Sequence, residues 1–151
     1  MTLARTIGLS MIAVLGTACH ENPTVPEDSV LFAAATFECG PADGPATAIY
    51  LMPEPVGPLP LSRAFVRVYV PVGVDHLTGR WTVSDGITDA AGWFHSDDDQ
   101  YEPATSGSLN VTAVNADNSI EGAIDLHFDK AGHLKGPFKA DWRPPTVVGC
   151  F

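Results

Sequence analysis

Apolar and polar side chains alternate with a period of two along much of the chain, which is the pattern of half-buried β-strands. The clearest stretches are residues 63–70, 107–114, 119–128 and 133–142. Asp129-Lys-Ala-Gly132 joins the last two stretches, and a four-residue connection ending in glycine favours a tight turn. We therefore expect a β-hairpin over residues 119–142, and Pro137 predicts that its second strand lies at a sheet edge or a bulge.

Shorter apolar stretches predict further strands between these. They are residues 31–37, 48–52, 80–83 and 93–94. The chain also contains 14 Gly and 13 Pro, and this density of helix breakers disfavours long helices. The pattern as a whole predicts an all-β domain, an antiparallel β-sandwich or small barrel of about seven to eight short strands.

The first 18 residues have the layout of a secretory signal. One basic residue, Arg5, precedes an uncharged run of 14 residues, from Thr6 to Cys19, that ends in small side chains. This run is shorter than the roughly 20 residues that a spanning helix needs. Polar sequence with prolines follows at once, which argues against the alternative of a buried first helix.

Residues 15–19, Leu-Gly-Thr-Ala-Cys, resemble the lipobox of bacterial lipoproteins. The resemblance implies that residues 1–18 are removed as a signal peptide and that Cys19, the new N-terminus, carries the lipid. An ordinary cleaved signal is the alternative. In lipoproteins of two-membrane bacteria an aspartate after the cysteine often marks inner-membrane retention, so His20 at this place implies an outer-membrane anchor.

The charge of the chain limits its partners. It carries 18 acidic and 8 basic side chains, a net charge of −10, whereas a nucleic-acid-binding protein needs a basic face. Anionic lipid would repel the same charge, so lipid chains alone would hold the protein to a membrane. Residues 19–29 are polar and proline-containing and predict a disordered tether, which leaves residues 30–151 as the folded domain.

Two of the three cysteines remain once Cys19 is assigned to the lipid. Cys39 and Cys150 lie near the two ends of the domain, and export favours a disulfide bond between them. In the chain-entropy description, closing the loop between Cys39 and Cys150 stabilises the domain by roughly 4–5 kcal/mol. A metal site is the weaker alternative, because the chain has no Cys-x-x-Cys motif.

Aromatic and acidic side chains are concentrated in residues 81–102. Rings that stack on apolar surfaces, beside carboxylates that accept hydrogen bonds, are typical of sugar or cationic-ligand sites. Packing in the core explains the rings equally well, and a contiguous acidic run without a following glycine favours a solvated loop over a calcium site. The candidate ligand-binding residues are Trp81, Trp93, Phe94, Asp97, Asp98, Asp99 and Tyr101.

The histidines show no metal-site spacing, although His127 and His133 stand on either side of the hairpin turn and could approach each other across it. We expect surface histidines, no metal and no cofactor. The five histidines are His20, His76, His95, His127 and His133.

The chain contains no catalytic motif of the GxSxG, HExxH or P-loop type, so we expect no enzyme. Residues 106–112, 120–128 and 136–140 are similar to the C-terminal strands of small bacterial lipoproteins of unknown function, a resemblance that implies a β fold and no activity. The sequence thus predicts a lipid-anchored envelope protein that acts as a non-catalytic interaction or structural module, with an envelope protein or a glycan as possible partner. The alternative is a small-ligand or carbohydrate-binding lipoprotein that uses residues 81–102, and an enzyme ranks third.

Overall fold

A computed structural model describes residues 31–40, 44–52, 55, 61, 63–84, 90–96 and 99–145 of the chain. The predicted signal peptide, Cys19, the tether, Asp97, Asp98 and Cys150 lie outside these residues. One short 3-10 helix (Val74–His76) occurs among them, and none of their helices has the length and apolar character needed to cross a bilayer. The strands are β1 (Leu31–Cys39), β2 (Pro45–Met52), β3 (Phe65–Val70), β4 (Gly79–Thr82), β5 (Ala91–His95), β6 (Tyr101–Pro103), β7 (Ser106–Val114), β8 (Ile120–Phe128) and β9 (Gly132–Trp142).

The nine strands form a single curled sheet, a half-barrel, in the order β4-β7-β8-β9-β1-β2-β3-β5-β6. The all-β prediction is confirmed and the half-barrel is consistent with the predicted β-sandwich or small barrel, but the expected antiparallel pairing and the count of about seven to eight strands differ in part from the sheet observed. β1 and β9, the first and last strands, are neighbours in the middle of the sheet and pair in parallel, from Leu31 opposite Phe138 to Ala35 opposite Trp142. β6 is only three residues long, too short for alternation to reveal it.

The predicted hairpin over residues 119–142 is confirmed, since β8 and β9 pair from Ile120 opposite Ala140 to Phe128 opposite Gly132. The prediction of an edge position or a bulge for Pro137 was wrong. β9 lies between β8 and β1, and its pairing with β1 begins at Phe138, one residue after the proline. The missing N–H of Pro137 therefore falls just outside the residues that pair with β1.

The main core fills the concave side of the sheet with aliphatic side chains from all parts of the chain, such as Ile49, Val68 and Leu126. β2 is buried on both faces, however, since every residue from Ala46 to Met52 is buried. Its second face carries a separate cluster that includes Tyr50, Phe65 and Tyr69. The rings in this second cluster form the base of the candidate site.

The sheet curls because strands that are distant in its order meet where β6 passes into β7. The backbone N–H of buried Ala104 donates to the carbonyl of Gly92 on β5 at 2.8 Å, and that of Thr105 donates to the carbonyl of His127 on β8, also at 2.8 Å. Two residues after Thr105, the backbone of Gly107 has φ +138°, and a Cβ there would lie 2.1 Å from the carbonyl oxygen of Asp125. Only glycine fits that position without a backbone shift.

Candidate functional site

A half-buried guanidinium lies among tyrosine rings on the second face of the sheet. Arg67 on β3 has its Cζ 4.8 Å from the ring centre of Tyr69, 5.9 Å from that of Tyr101 and 6.0 Å from that of Tyr50. All three separations are within about 6 Å, the range in which a ring attracts a cation. The rings therefore stabilise a positive charge that water reaches only in part, since 24% of the Arg67 side chain is exposed.

Glu38, at the end of β1, supplies the negative charge of this cluster. Its carboxylate accepts hydrogen bonds from the hydroxyl groups of Tyr50 and Tyr69, the latter at 2.9 Å. One Glu38 oxygen also lies 4.0 Å from Nη1 of Arg67, at the outer limit of an ion pair. Three strands, β1, β2 and β3, thus contribute to one network that is neutral when both charges are counted.

Both tyrosines of this network have a raised pKa. Burial is the main cause, and the hydrogen bonds to the Glu38 carboxylate raise the pKa of Tyr50 and Tyr69 further, while the Arg67 charge opposes the shift. Both pKa values lie well above the ordinary value of about 10. At neutral pH both phenols are therefore protonated and donate to Glu38.

A cavity of about 210 Å³ opens beside this network. Its walls are formed by Cys39, Arg67, Tyr69, Trp93 and Tyr101. Trp93 meets Tyr69 edge to face, with ring centres 5.8 Å apart, and 55% of Tyr101 is exposed. The cavity is smaller than the roughly 300–1,000 Å³ of drug-sized pockets, so it suits a ligand no larger than a single ring with a small substituent.

One donor atom of Arg67 has no acceptor among the described residues, and the rest of its side chain is partly exposed. Its Nε is buried and donates to no group in the described part of the chain. A buried donor without an acceptor costs about 1–3 kcal/mol, and more when the group is charged. The exposed quarter of the side chain is the part that a ligand in the cavity can reach.

The aromatic residues that the sequence grouped together separate into two pairs. Trp93 and Tyr101 line the cavity. Trp81 instead packs against the main core and donates its indole N–H to the carbonyl of Leu77 at 2.8 Å. Phe94 also packs on that core, because neighbouring residues of a strand point to opposite faces and Trp93 already occupies the other one.

The acidic run contributes less to the site than its density of charge suggested. Asp99 is exposed, and one of its carboxylate oxygens lies 3.3 Å from Nε2 of His95. The two preceding aspartates of the run, Asp97 and Asp98, are outside the described residues. Glu102 accepts the backbone N–H groups of Lys130 and Ala131 at 2.5 and 3.0 Å, so it holds the β8–β9 turn against β6.

Four residues of the site were missed in the sequence, namely Glu38, Tyr50, Arg67 and Tyr69. One signal was available, because Arg67 stands between two aromatic residues on the same face of a strand. A charged residue flanked in this way indicates a face that is partly buried. Nothing local in the sequence links Glu38 or Tyr50 to it, since each lies on a different strand.

Cys39 closes one side of the cavity. No pair of cysteines occurs within the described residues, because the other two cysteines of the chain fall outside them. The predicted pairing with Cys150 therefore stays a prediction.

Comparison with known protein families, with characterised proteins and with solved structures gave no significant match to this chain. The function therefore has to be inferred from the residues of the site.

Proposed function

We propose that the protein is a non-catalytic binding module that holds a small acidic ring compound, one ring bearing a carboxylate, in the cavity beside Arg67. The observation that carries this proposal is the half-buried guanidinium side chain of Arg67 in the wall of an aromatic-lined cavity. This function corresponds to the small-ligand alternative predicted from the sequence, but Arg67 makes the polar contact with the ligand in place of the acidic run.

Each part of the cavity suits one part of such a ligand. A guanidinium binds a carboxylate through two parallel hydrogen bonds, and such charge-assisted bonds are about twice as strong as neutral ones. The rings of Trp93 and Tyr101 offer surfaces on which a flat or pyranose ring can stack. The volume of about 210 Å³ leaves little room beyond one ring. A uronic acid and an aromatic carboxylate share this chemistry.

Isothermal titration calorimetry with glucuronate and benzoate tests the proposal, with glucose and benzyl alcohol as uncharged counterparts. We expect at least one of the acids to bind, and its uncharged counterpart to bind at least tenfold more weakly. Arg67→Gln should weaken binding of the acid roughly 10- to 100-fold, the equivalent of losing a charged hydrogen bond of about 1.5–3 kcal/mol.

Arg80→Gln is the matched control, because Arg80 is exposed on β4 and does not line the cavity. It removes the same charge from the chain and should leave binding of the acid unchanged. If neither acid binds, or if the Arg67 variant binds as tightly as the wild type, the proposed function is wrong.

We propose further that the domain is exported and anchored to the outer membrane of the bacterial envelope by a lipid on Cys19. The support is the lipobox-like sequence at residues 15–19 and the polar residues that follow it. Metabolic labelling with palmitate should mark the wild type and the Cys39→Ala control but not the Cys19→Ala variant. Equal labelling of the Cys19→Ala variant would contradict the anchor.

We also propose that Cys39 forms a disulfide bond with Cys150. β9 runs parallel to β1, and the N–H of Arg143 donates to the carbonyl of Ala35 at 2.8 Å, four residues before Cys39. The five residue steps from Pro145 to Cys150 span at most about 18 Å, enough to cover the roughly 13 Å between Ala35 and Cys39. Peptide mapping without reduction should recover the two cysteines in one linked peptide, whereas a Cys19–Cys39 peptide would refute both this pairing and the lipid anchor.

A further inference from the structure

The β8–β9 hairpin presents a second polar cluster, on residues that do not line the cavity. Asp125 and His127 lie two residues apart on β8, so they point to the same face. On β9, His133 stands directly opposite His127, and Lys135 stands opposite Asp125. The pairing thus places two imidazoles and a carboxylate together at the outer surface near the turn.

One ring nitrogen of each histidine lies close to the same carboxylate oxygen. Nε2 of His133 lies 2.8 Å from Oδ1 of Asp125, and Nε2 of His127 lies 3.4 Å from the same atom. The two rings are stacked almost parallel, with centres 4.1 Å apart and 7° between their planes. All three potential ligand atoms lie within 4.8 Å of one another.

These separations are close to those of a metal site. Zinc binds imidazole nitrogen and carboxylate oxygen at about 2.0–2.2 Å, so two ligand atoms at the tetrahedral angle are about 3.3–3.5 Å apart. The 3.4 Å separation of His127 from Asp125 already agrees with this value. The 2.8 Å contact of His133 has to open by about half an ångström, and the stacked rings have to turn out of parallel so that one ion lies near the plane of each. Partly exposed side chains can make both changes by rotation.

The chemistry of the three groups selects the class of metal. Two imidazoles and one carboxylate suit zinc and copper, whereas calcium and magnesium require a set made of oxygen atoms. Side-chain exposures of 52% for His127 and 42% for Asp125 leave room for water to complete the coordination. We propose that Asp125, His127 and His133 together bind one divalent transition-metal ion, zinc or copper, on the surface of the hairpin.

Calorimetric titration of the whole protein with Zn²⁺, carrying no histidine tag, tests this site. We expect one ion per chain, tighter binding of Cu²⁺ than of Zn²⁺ as the general order of metal affinities requires, and no displacement by Ca²⁺. His127→Ala and His133→Ala should each weaken Zn²⁺ binding at least tenfold. The matched control is His76→Ala, because His76 is exposed in the 3-10 helix and outside the cluster.

Two results would overturn the proposal. One is the absence of Zn²⁺ binding, and the other is binding that survives both hairpin substitutions or is reduced equally by His76→Ala. Far-UV circular dichroism of each variant separates loss of the site from loss of the fold, because all three histidines lie at the surface or only partly buried.

Substitution of Lys135 should tighten metal binding, whereas the histidine substitutions should weaken it. Nζ of Lys135 lies 3.8 Å from Oδ2 of Asp125, so its positive charge competes with a cation on the same carboxylate. Lys135→Gln should therefore tighten Zn²⁺ binding several-fold, whereas Lys139→Gln should leave it unchanged, because Lys139 pairs with Glu121 instead. Unchanged or weaker binding in the Lys135 variant would exclude Asp125 as a ligand.

Discussion

Removing the carboxylate of Glu38 should destabilise the domain strongly, because three groups depend on it. Glu38→Ala leaves the hydroxyls of Tyr50 and Tyr69 without their acceptor and removes the carboxylate that lies 4.0 Å from Arg67. Each hydrogen bond to a charged group contributes about 1.5–3 kcal/mol. The ion pair adds less than a fully buried pair would, since the side chains of Glu38 and Arg67 are 15% and 24% exposed. The expected loss is about 3–5 kcal/mol, a large part of the roughly 5–15 kcal/mol of a typical domain.

Urea unfolding followed by tryptophan fluorescence measures this loss. In Glu38→Ala the free energy of unfolding should fall by about 3–5 kcal/mol with an unchanged m-value. In Glu38→Gln, which keeps one acceptor oxygen, it should fall by less. Glu121→Ala is the control and should have a much smaller effect, because its ion pair with Lys139 is exposed. A loss below about 1 kcal/mol in Glu38→Ala would refute the view that these residues form one coupled network.

The same residue also affects ligand binding. Glu38 does not line the cavity, but its carboxylate competes with a bound carboxylate for Arg67. Glu38→Gln should therefore tighten binding of the acidic ligand while it destabilises the free protein. Weaker binding in a folded Glu38→Gln variant would contradict the assignment of Arg67 as the group that holds the anion.

Two further predictions concern the fold. Gly107→Ala should destabilise the domain clearly more than Gly79→Ala: both positions have a positive φ, which costs about 1–3 kcal/mol, but only at Gly107 would the Cβ meet a backbone oxygen, that of Asp125. Equal decreases in melting temperature for the two variants would refute the close approach of Gly107 to the carbonyl oxygen of Asp125. In an alkaline titration followed at 295 nm, Tyr50 and Tyr69 should ionise only well above pH 10, because burial raises their pKa. Since the tyrosines of the unfolded chain lose their protons at a lower pH than those of the folded protein, the free energy of unfolding should fall as the pH rises above about 10. A titration in which all tyrosines ionise at the ordinary pKa would contradict the network.

Local patterns in the sequence predicted the parts of the fold that form between neighbouring residues. The hairpin of β8 and β9 was found because both strands alternate clearly and Gly132 ends the turn between them. The parallel pairing of β1 with β9 was not found, because alternation identifies a strand without identifying its partner or direction. Leu31 and Phe138 are adjacent in the sheet but more than 100 residues apart in the chain.

The candidate site was only half predictable for the same reason. Trp93 and Phe94 looked equivalent in the sequence, but they lie on opposite faces of β5, so only Trp93 reaches the cavity. Arg67 meets Glu38 and Tyr50 across two strand pairings, and such a meeting depends on the register of the sheet. His127 and His133 were recognised as potential neighbours because a hairpin register can be read from its turn.

The three tryptophans of the chain allow the most direct test of the binding site. Each indole N–H gives one signal in a ¹H–¹⁵N spectrum, and single Trp→Phe variants assign the signals to Trp81, Trp93 and Trp142. When the binding acid is added, the Trp93 signal should shift progressively to saturation, while Trp81, whose N–H is bonded to the carbonyl of Leu77, should not move. A stationary Trp93 signal at saturating acid, or a shift of the Trp81 signal in its place, would contradict ligand binding in the Arg67 cavity.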